Sequence, residues 1–182
     1  MHNKRTSYFL NAMFMAGFVF CGVNTSHAAD TYRVVRVLDG DTIEILVNAR
    51  PARIRLADID APEKKQPFGQ RSRQFLTSLV GGKEVSLSGD KHDRYGRILG
   101  RVFVKGRDKE CMKYMEKTDL CTRAYYVNEE MVKAGLAWAY RYKGKVTSPN
   151  MEHLEIEARA ERRGLWSAPA IEPWRWRQST KG

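Results

Sequence analysis

Asp39-Gly40-Asp41-Thr42-Ile43-Glu44-Ile45-Leu46-Val47 is the stretch from which the fold is read. Ile43, Ile45 and Val47 alternate with Thr42, Glu44 and Leu46, the two-residue period of a strand that buries one face. Asp39-Gly40 is a hairpin-turn signal, so 31–48 reads as two strands joined by a turn. Working outward, a third strand is expected from Ala52 to Leu56, a fourth from Lys83 to Ser88 and a fifth from Ile98 to Val104. Between the third and fourth, Pro67 can open a helix with Phe75, Leu76, Leu79 and Val80 as its apolar face and Gly81 as its stop. A second helix is expected with Asn128 as N-cap, Glu129 and Glu130 in its first turn, and a stop at Gly135. A third begins at Ser148-Pro149 and ends near Gly164, while the tail 169–182, with Pro169, Pro173 and Trp174-Arg175-Trp176-Arg177, reads as irregular. Strands first, one helix inserted and two helices last predict an α+β domain on a small five-stranded Greek-key barrel of the OB type, with three helices.

The ends of the chain bear on its destination. Lys4 and Arg5 precede an apolar run from Tyr8 to Val23, and Ser26 and Ala28 are the small residues of a cleavage site, so 1–28 reads as a secretory signal peptide. A membrane anchor is the rival, but the run is shorter than the roughly 18 to 20 apolar residues that span a bilayer and contains Asn11. Cys21 leaves with the leader, and Cys111 and Cys121 remain in a polar segment, about 106–122, that reads as an inserted loop. An even cysteine count in an exported chain suggests a disulfide, whereas two thiols without a histidine pair do not make a zinc site. The net charge of +11 favours polyanions, though it is equally consistent with an anionic membrane surface or with simple solubility.

Candidate chemistry gathers in three segments, Asp39-Gly40-Asp41, Arg55 to Glu63 and Asp93-Arg94-Tyr95-Gly96-Arg97. Each alone is ordinary turn chemistry. Together, at the ends of adjacent strands, they offer hard oxygens for a divalent cation, a carboxylate to activate water, and two permanent cations for a phosphate, a set that suits phosphodiester hydrolysis. Asp41 and Asp60 are the candidate metal acids, for calcium or for magnesium in a tighter geometry. Glu63 is the candidate base or the structural partner of an arginine, and Arg55 and Arg97 are candidate phosphate forks or surface charges. Tyr140 and Tyr142 share strand parity, so both can face one side to stack on a nucleotide or to pack beside Trp138. His92 and His153 lack a catalytic spacing.

These motifs, in this order, resemble the staphylococcal nuclease, or thermonuclease, family. The resemblance extends through Val127-Asn128-Glu129, Gly135-Leu136-Ala137, Ala139-Tyr140-Arg141-Tyr142 and Leu165-Trp166-Ser167, leaving out the cysteine segment and the last residues. It implies an OB-fold barrel with three helices, one calcium ion per chain, and endonucleolytic cleavage of DNA and RNA with little sequence preference that leaves 3′-phosphates. It also implies Arg55, Glu63 and Arg97 as the catalytic trio, and Asp41, Asp60 and the backbone carbonyl of Ala61 as calcium ligands. Arg94, Tyr95, Tyr140 and Tyr142 would cradle the nucleotide, with Arg94 and Ala61 standing where the family has lysine and threonine. A secreted or periplasmic monomer with no stable membrane association follows. The rival from another class is a non-catalytic OB module that binds single-stranded nucleic acid.

Overall fold

The computed structural model describes residues 30–115 and 120–180, so the expected signal peptide lies outside the described residues. In chain order the strands are β1 Thr31–Val37, β2 Thr42–Val47, β3 Arg50–Leu56, β4 Ile59–Asp60, β5 Glu84–Ser88, β6 Ile98–Arg107, β7 Thr122–Tyr126, β8 Trp138–Ala139, β9 Arg141–Tyr142 and β10 Lys145–Val146. The helices are α1 Gly69–Val80 between β4 and β5, α2 Val127–Lys133 after β7, and α3 Pro149–Ala160 and α4 Pro173–Ser179 after β10.

Antiparallel pairings β1–β2, β2–β3, β1–β5 and β5–β6 run round the molecule, and a parallel pairing of β3 with β6 closes the ring. The five expected strands therefore make a closed OB-type barrel. At the parallel seam Ile54 faces Ile98 and Leu56 faces Gly100. A Cβ on Gly100 would lie 2.7 Å from Ile54 Cγ2, so the close approach of β3 and β6 requires glycine there.

The alternation in β2 survives with a refinement. Ile43 and Ile45 are buried in the barrel with Val34, Ile54, Val85 and Val102, yet Glu44 on the opposite face is buried as well. Arg36 and Arg53, its register partners on β1 and β3, donate from Nε to its carboxylate at 2.8 and 3.2 Å and cover it. One end of the barrel is capped by Leu76 and Val80 of α1, and Val127, Met131 and Val132 of α2 complete the core.

Several elements differ from the sequence expectation. The β1–β2 turn does not use Gly40 for a positive φ, since a Cβ there would lie 2.0 Å from Ser72 Oγ and 2.7 Å from Ala61 Cβ; glycine serves close packing. The β2–β3 hairpin turns instead on Asn48 and Ala49, with φ of 49° and 61°. The helix opened by Pro67 starts later, at Gly69, after Phe68 in the left-handed region. Asn128 is no N-cap: it lies inside α2, fully buried, accepting from Val102 N at 3.1 Å and donating to the carbonyls of Ala57 and Gly100 at 2.9 and 3.1 Å. Ser148 does cap α3, accepting from Met151 N at 3.4 Å.

The segment 106–122 is the tip of a hairpin, because β6 and β7 pair up to Arg107↔Thr122. Cys111 and Cys121 are disulfide-bonded across it. The tail read as irregular contains a fourth helix, α4, started by Pro173 in its first turn.

Candidate active site

The barrel brings the three motif segments to one open cleft of about 1100 Å³. Asp41, Arg55, Ala61, Glu63, Arg94, Tyr95, Arg97, Tyr140 and Tyr142 all line it. Asp60 lies just beneath, 1% exposed, held by β4 where it pairs with Trp138 of β8. Asp41 is placed by the first turn of the barrel: its carbonyl accepts from Leu56 N at 2.8 Å, which fixes the β1–β2 loop against the end of β3.

Arg55 is the central cation. Its side chain is 14% exposed, and it donates from Nη1 to Asp41 Oδ2 and from Nη2 to Asp60 Oδ1, the latter at 3.0 Å. Burial opposes the charge on Asp41, but the Arg55 guanidinium, Ala61 N at 3.1 Å and the Thr42 hydroxyl outweigh it and hold this carboxyl below the usual carboxylate range. Asp60 is pushed upward by burial and by the Asp41 charge, against the pull of Arg177 and Arg55. Burial and the Asp41 charge also raise the neighbouring Asp39 to about 6, although it accepts a hydrogen bond from Asp41 N at 3.1 Å. Asp39 lines the cleft as well, an acid of the first candidate segment that was not named among the metal acids.

Arg97 reaches the cleft from the turn between β5 and β6. Asp93 Oδ1 accepts from Tyr95 N at 2.9 Å and Arg97 N at 3.0 Å, and its Oδ2 accepts from Arg97 Nε at 2.8 Å. One carboxylate thus shapes the turn and aims the guanidinium, with Gly96 at φ 75° completing the bend. Arg94 and Arg97 flank the exposed ring of Tyr95, at 4.9 and 5.5 Å from its centroid.

Tyr140 and Tyr142 do not lie on one strand: Tyr140 falls between β8 and β9, and Tyr142 ends β9. Both still reach the cleft, Tyr142 with 61% exposure. Glu63 sits after Pro62 on a loop folded back on α1. A Cβ on Gly69 would meet the Glu63 carbonyl oxygen at 2.0 Å, and Gln66 Oε1 accepts from Glu63 N at 3.1 Å.

Sequence reasoning missed Arg177. It donates from Nη1 to Glu63 Oε1 at 2.7 Å and to Asp60 Oδ1 at 3.2 Å, and from Nη2 to Asp60 Oδ2 at 2.8 Å. Glu63 is therefore paired with an arginine, the structural alternative weighed for it, but with one from the tail. The signal was present in Glu172-Pro173, since proline favours the first turn of a helix.

The donor set suits a hard cation, because Asp41, Asp60 and the Ala61 carbonyl offer only oxygen. Among the described residues no three His, Cys, Asp or Glu side chains converge to hold a metal ion, so a cation here relies on backbone oxygen, water and substrate to complete its shell.

Comparison with known proteins agrees with this layout. The family model described as staphylococcal nuclease homologue matches residues 53–168, from β3 to the segment after α3. A micrococcal nuclease of Shigella flexneri is 48% identical over 149 residues, covering 81% of this chain and 80% of that protein. Protein ParB of Escherichia coli is 44% identical over 178 residues, with 97% and 96% covered, and an uncharacterized endonuclease of Escherichia coli is 45% identical over 146 residues, with 80% and 83% covered. The chain belongs to the staphylococcal nuclease homologue family.

Proposed function

We propose that this nuclease-family protein is a calcium-dependent endonuclease that hydrolyses phosphodiester bonds of DNA and RNA with little sequence preference and leaves 3′-phosphate ends. The observation that carries the reading is the convergence of Arg55, Glu63 and Arg97 on one cleft over Asp41 and Asp60. Asp41, Asp60 and the Ala61 carbonyl would hold calcium, which as a Lewis acid would polarise the phosphate when bound.

The chain's own residues do the rest. Arg55 and Arg97 present planar donor forks to the phosphate oxygens, whose charge is redistributed in the transition state. Glu63 takes a proton from the attacking water, whose oxygen bonds to phosphorus as the P–O5′ bond breaks. The 3′ side keeps the phosphate, and the departing 5′ oxygen takes up a proton from solvent water and leaves as a hydroxyl. Arg94, Tyr95, Tyr140 and Tyr142 offer cationic and aromatic surfaces along the cleft, and stacking on an aromatic face is open to every base, which supports tolerance of sequence. The Cys111–Cys121 bond supports an exported protein, secreted or periplasmic.

The test is cleavage of single-stranded DNA, duplex DNA and RNA with calcium, with EGTA, and with calcium restored after EGTA, the ends being identified by phosphatase-dependent labelling. Loss and return of cleavage with 3′-phosphate ends is expected. Full activity in EGTA overturns the metal reading, and DNA binding without cleavage under any condition returns the protein to a binding module.

A further inference from the structure

Arg177 belongs to no motif of the cleft. It arrives on α4, whose place is set by contacts that do not involve it: Gln66 Nε2 donates to the Ile171 carbonyl, Pro173 is buried, and Trp174 lies under the Arg141 guanidinium at 5.7 Å. The Arg177 side chain is 40% exposed, which leaves it room to swing outward while the helix stays docked.

Its partners are the two acids that matter most on this side of the cleft. Asp60 Oδ1 already accepts from Arg55 Nη2 at 3.0 Å, and Arg177 adds a second donor to that oxygen and one to Oδ2. Of the roughly four lone-pair positions on a carboxylate, three are then occupied. The same guanidinium holds Glu63 Oε1 at 2.7 Å. A divalent cation on Asp60 would meet a permanent positive charge on the same carboxylate, in a setting where charges are poorly screened. The two arrangements compete for the same carboxylate.

We propose that Arg177 is an internal competitor for the divalent cation, pairing with Asp60 and Glu63 until metal binding displaces it, so that α4 sets the metal concentration at which the cleft becomes competent. The inference rests on the divalent-cation reading of Asp41 and Asp60. Glu63 is released in the same event, so metal binding and liberation of the candidate base are linked through one side chain. Arg177 is in this sense a positioning residue that tunes metal affinity.

The test is calcium binding by isothermal titration calorimetry on the full chain, without nucleic acid, comparing the parent with Arg177→Gln, Arg177→Lys and Arg175→Gln. Among the described residues Arg175 pairs with Glu172 alone, the residue just before its helix, at 3.3 Å, and removing it takes away the same charge from α4. Arg177→Gln is expected to bind calcium about tenfold more tightly or better, as removal of competing charge-assisted hydrogen bonds allows. Arg177→Lys should fall between it and the parent, and Arg175→Gln should match the parent within about twofold. Far-UV circular dichroism checks folding, and Arg177→Lys keeps the comparison alive if the glutamine variant does not fold. Equal or weaker binding by both Arg177 variants overturns the proposal alone. An equal gain in Arg175→Gln also overturns it, leaving only a general charge effect. If neither the parent nor any variant binds calcium, the divalent-cation reading falls and takes the proposal with it.

Discussion

At Arg55 a single guanidinium bridges two buried carboxylates, so its removal acts on stability as well as on chemistry. Arg55→Ala leaves Asp41 buried without its cation and is expected to destabilise the metal-free protein by about 3 kcal/mol. The dependence on pH has a definite sign. The folded Asp41 carboxyl is held below its usual value, so its contribution is present above about pH 4 and is lost as pH falls through the lower folded value. The deficit of Arg55→Ala should therefore be full at pH 7 and shrink toward pH 3, as urea midpoints at the two values can check. Arg97, paired with Asp93 on a turn, is a different case. Arg97→Ala should leave the fold intact and lower turnover by about 10²-fold or more, while Glu63→Gln should lower it by about 10² to 10⁴-fold with salt-dependent DNA binding retained. Initial rates beside filter binding would check both, and parental rates would remove these residues from the catalytic set. That Arg55, Glu63 and Arg97 share one cleft was legible because each sits in a short motif at a strand end. Arg177 was not, because its partners Asp60 and Glu63 come from the other end of the chain, and pairing across that distance leaves no periodic trace.

Among the elements, those whose sequence pattern matches their packing were the ones read correctly. β2, β3 and β5 follow the two-residue period, and α1 carries its apolar stripe into the barrel. Where a residue serves a tertiary purpose the reading failed. Asn128 looked like a cap because asparagine favours that position, yet it joins β6 to the loop after β3 through three hydrogen bonds to backbone groups. Asn128→Ala strands the buried Val102 N–H and is expected to cost about 2 to 4 kcal/mol, read as a lowered urea midpoint. A parental midpoint would mean that water or a local shift repairs the gap. The β2–β3 turn makes the opposite prediction. Ala49 sits at φ 61°, a region where a Cβ costs roughly 1 to 2 kcal/mol, so Ala49→Gly should stabilise the hairpin by up to about 1 kcal/mol after the added freedom of the unfolded chain is counted. Thermal denaturation measures it, and a lower melting temperature would argue that the turn carries no strain.

For the molecule as a whole, the parallel seam of β3 with β6 governs when the cleft comes into being. Arg55 lies beside Leu99 across that seam, and Arg97 immediately precedes β6. Between the two strands the chain must first lay down α1 and β5, so Arg55 and Arg97 cannot become neighbours through local structure alone; they wait for the non-local pairing of β3 with β6. Non-local pairings of this kind raise contact order and slow folding. The complete cleft thus emerges with ring closure, and a chain that has only its β1–β2–β3 meander possesses Asp41 and Arg55 but not Asp60, Glu63 or Arg97. During refolding from denaturant, cleavage of a fluorogenic oligonucleotide should lag early recovery of circular dichroism and rise with the slowest phase of core burial. Cleavage appearing ahead of that phase would mean the arginines can assemble on an open sheet. Until the seam closes, Arg55 and Arg97 stay on separate parts of the chain, so the order in which strands pair sets when the cleft is assembled.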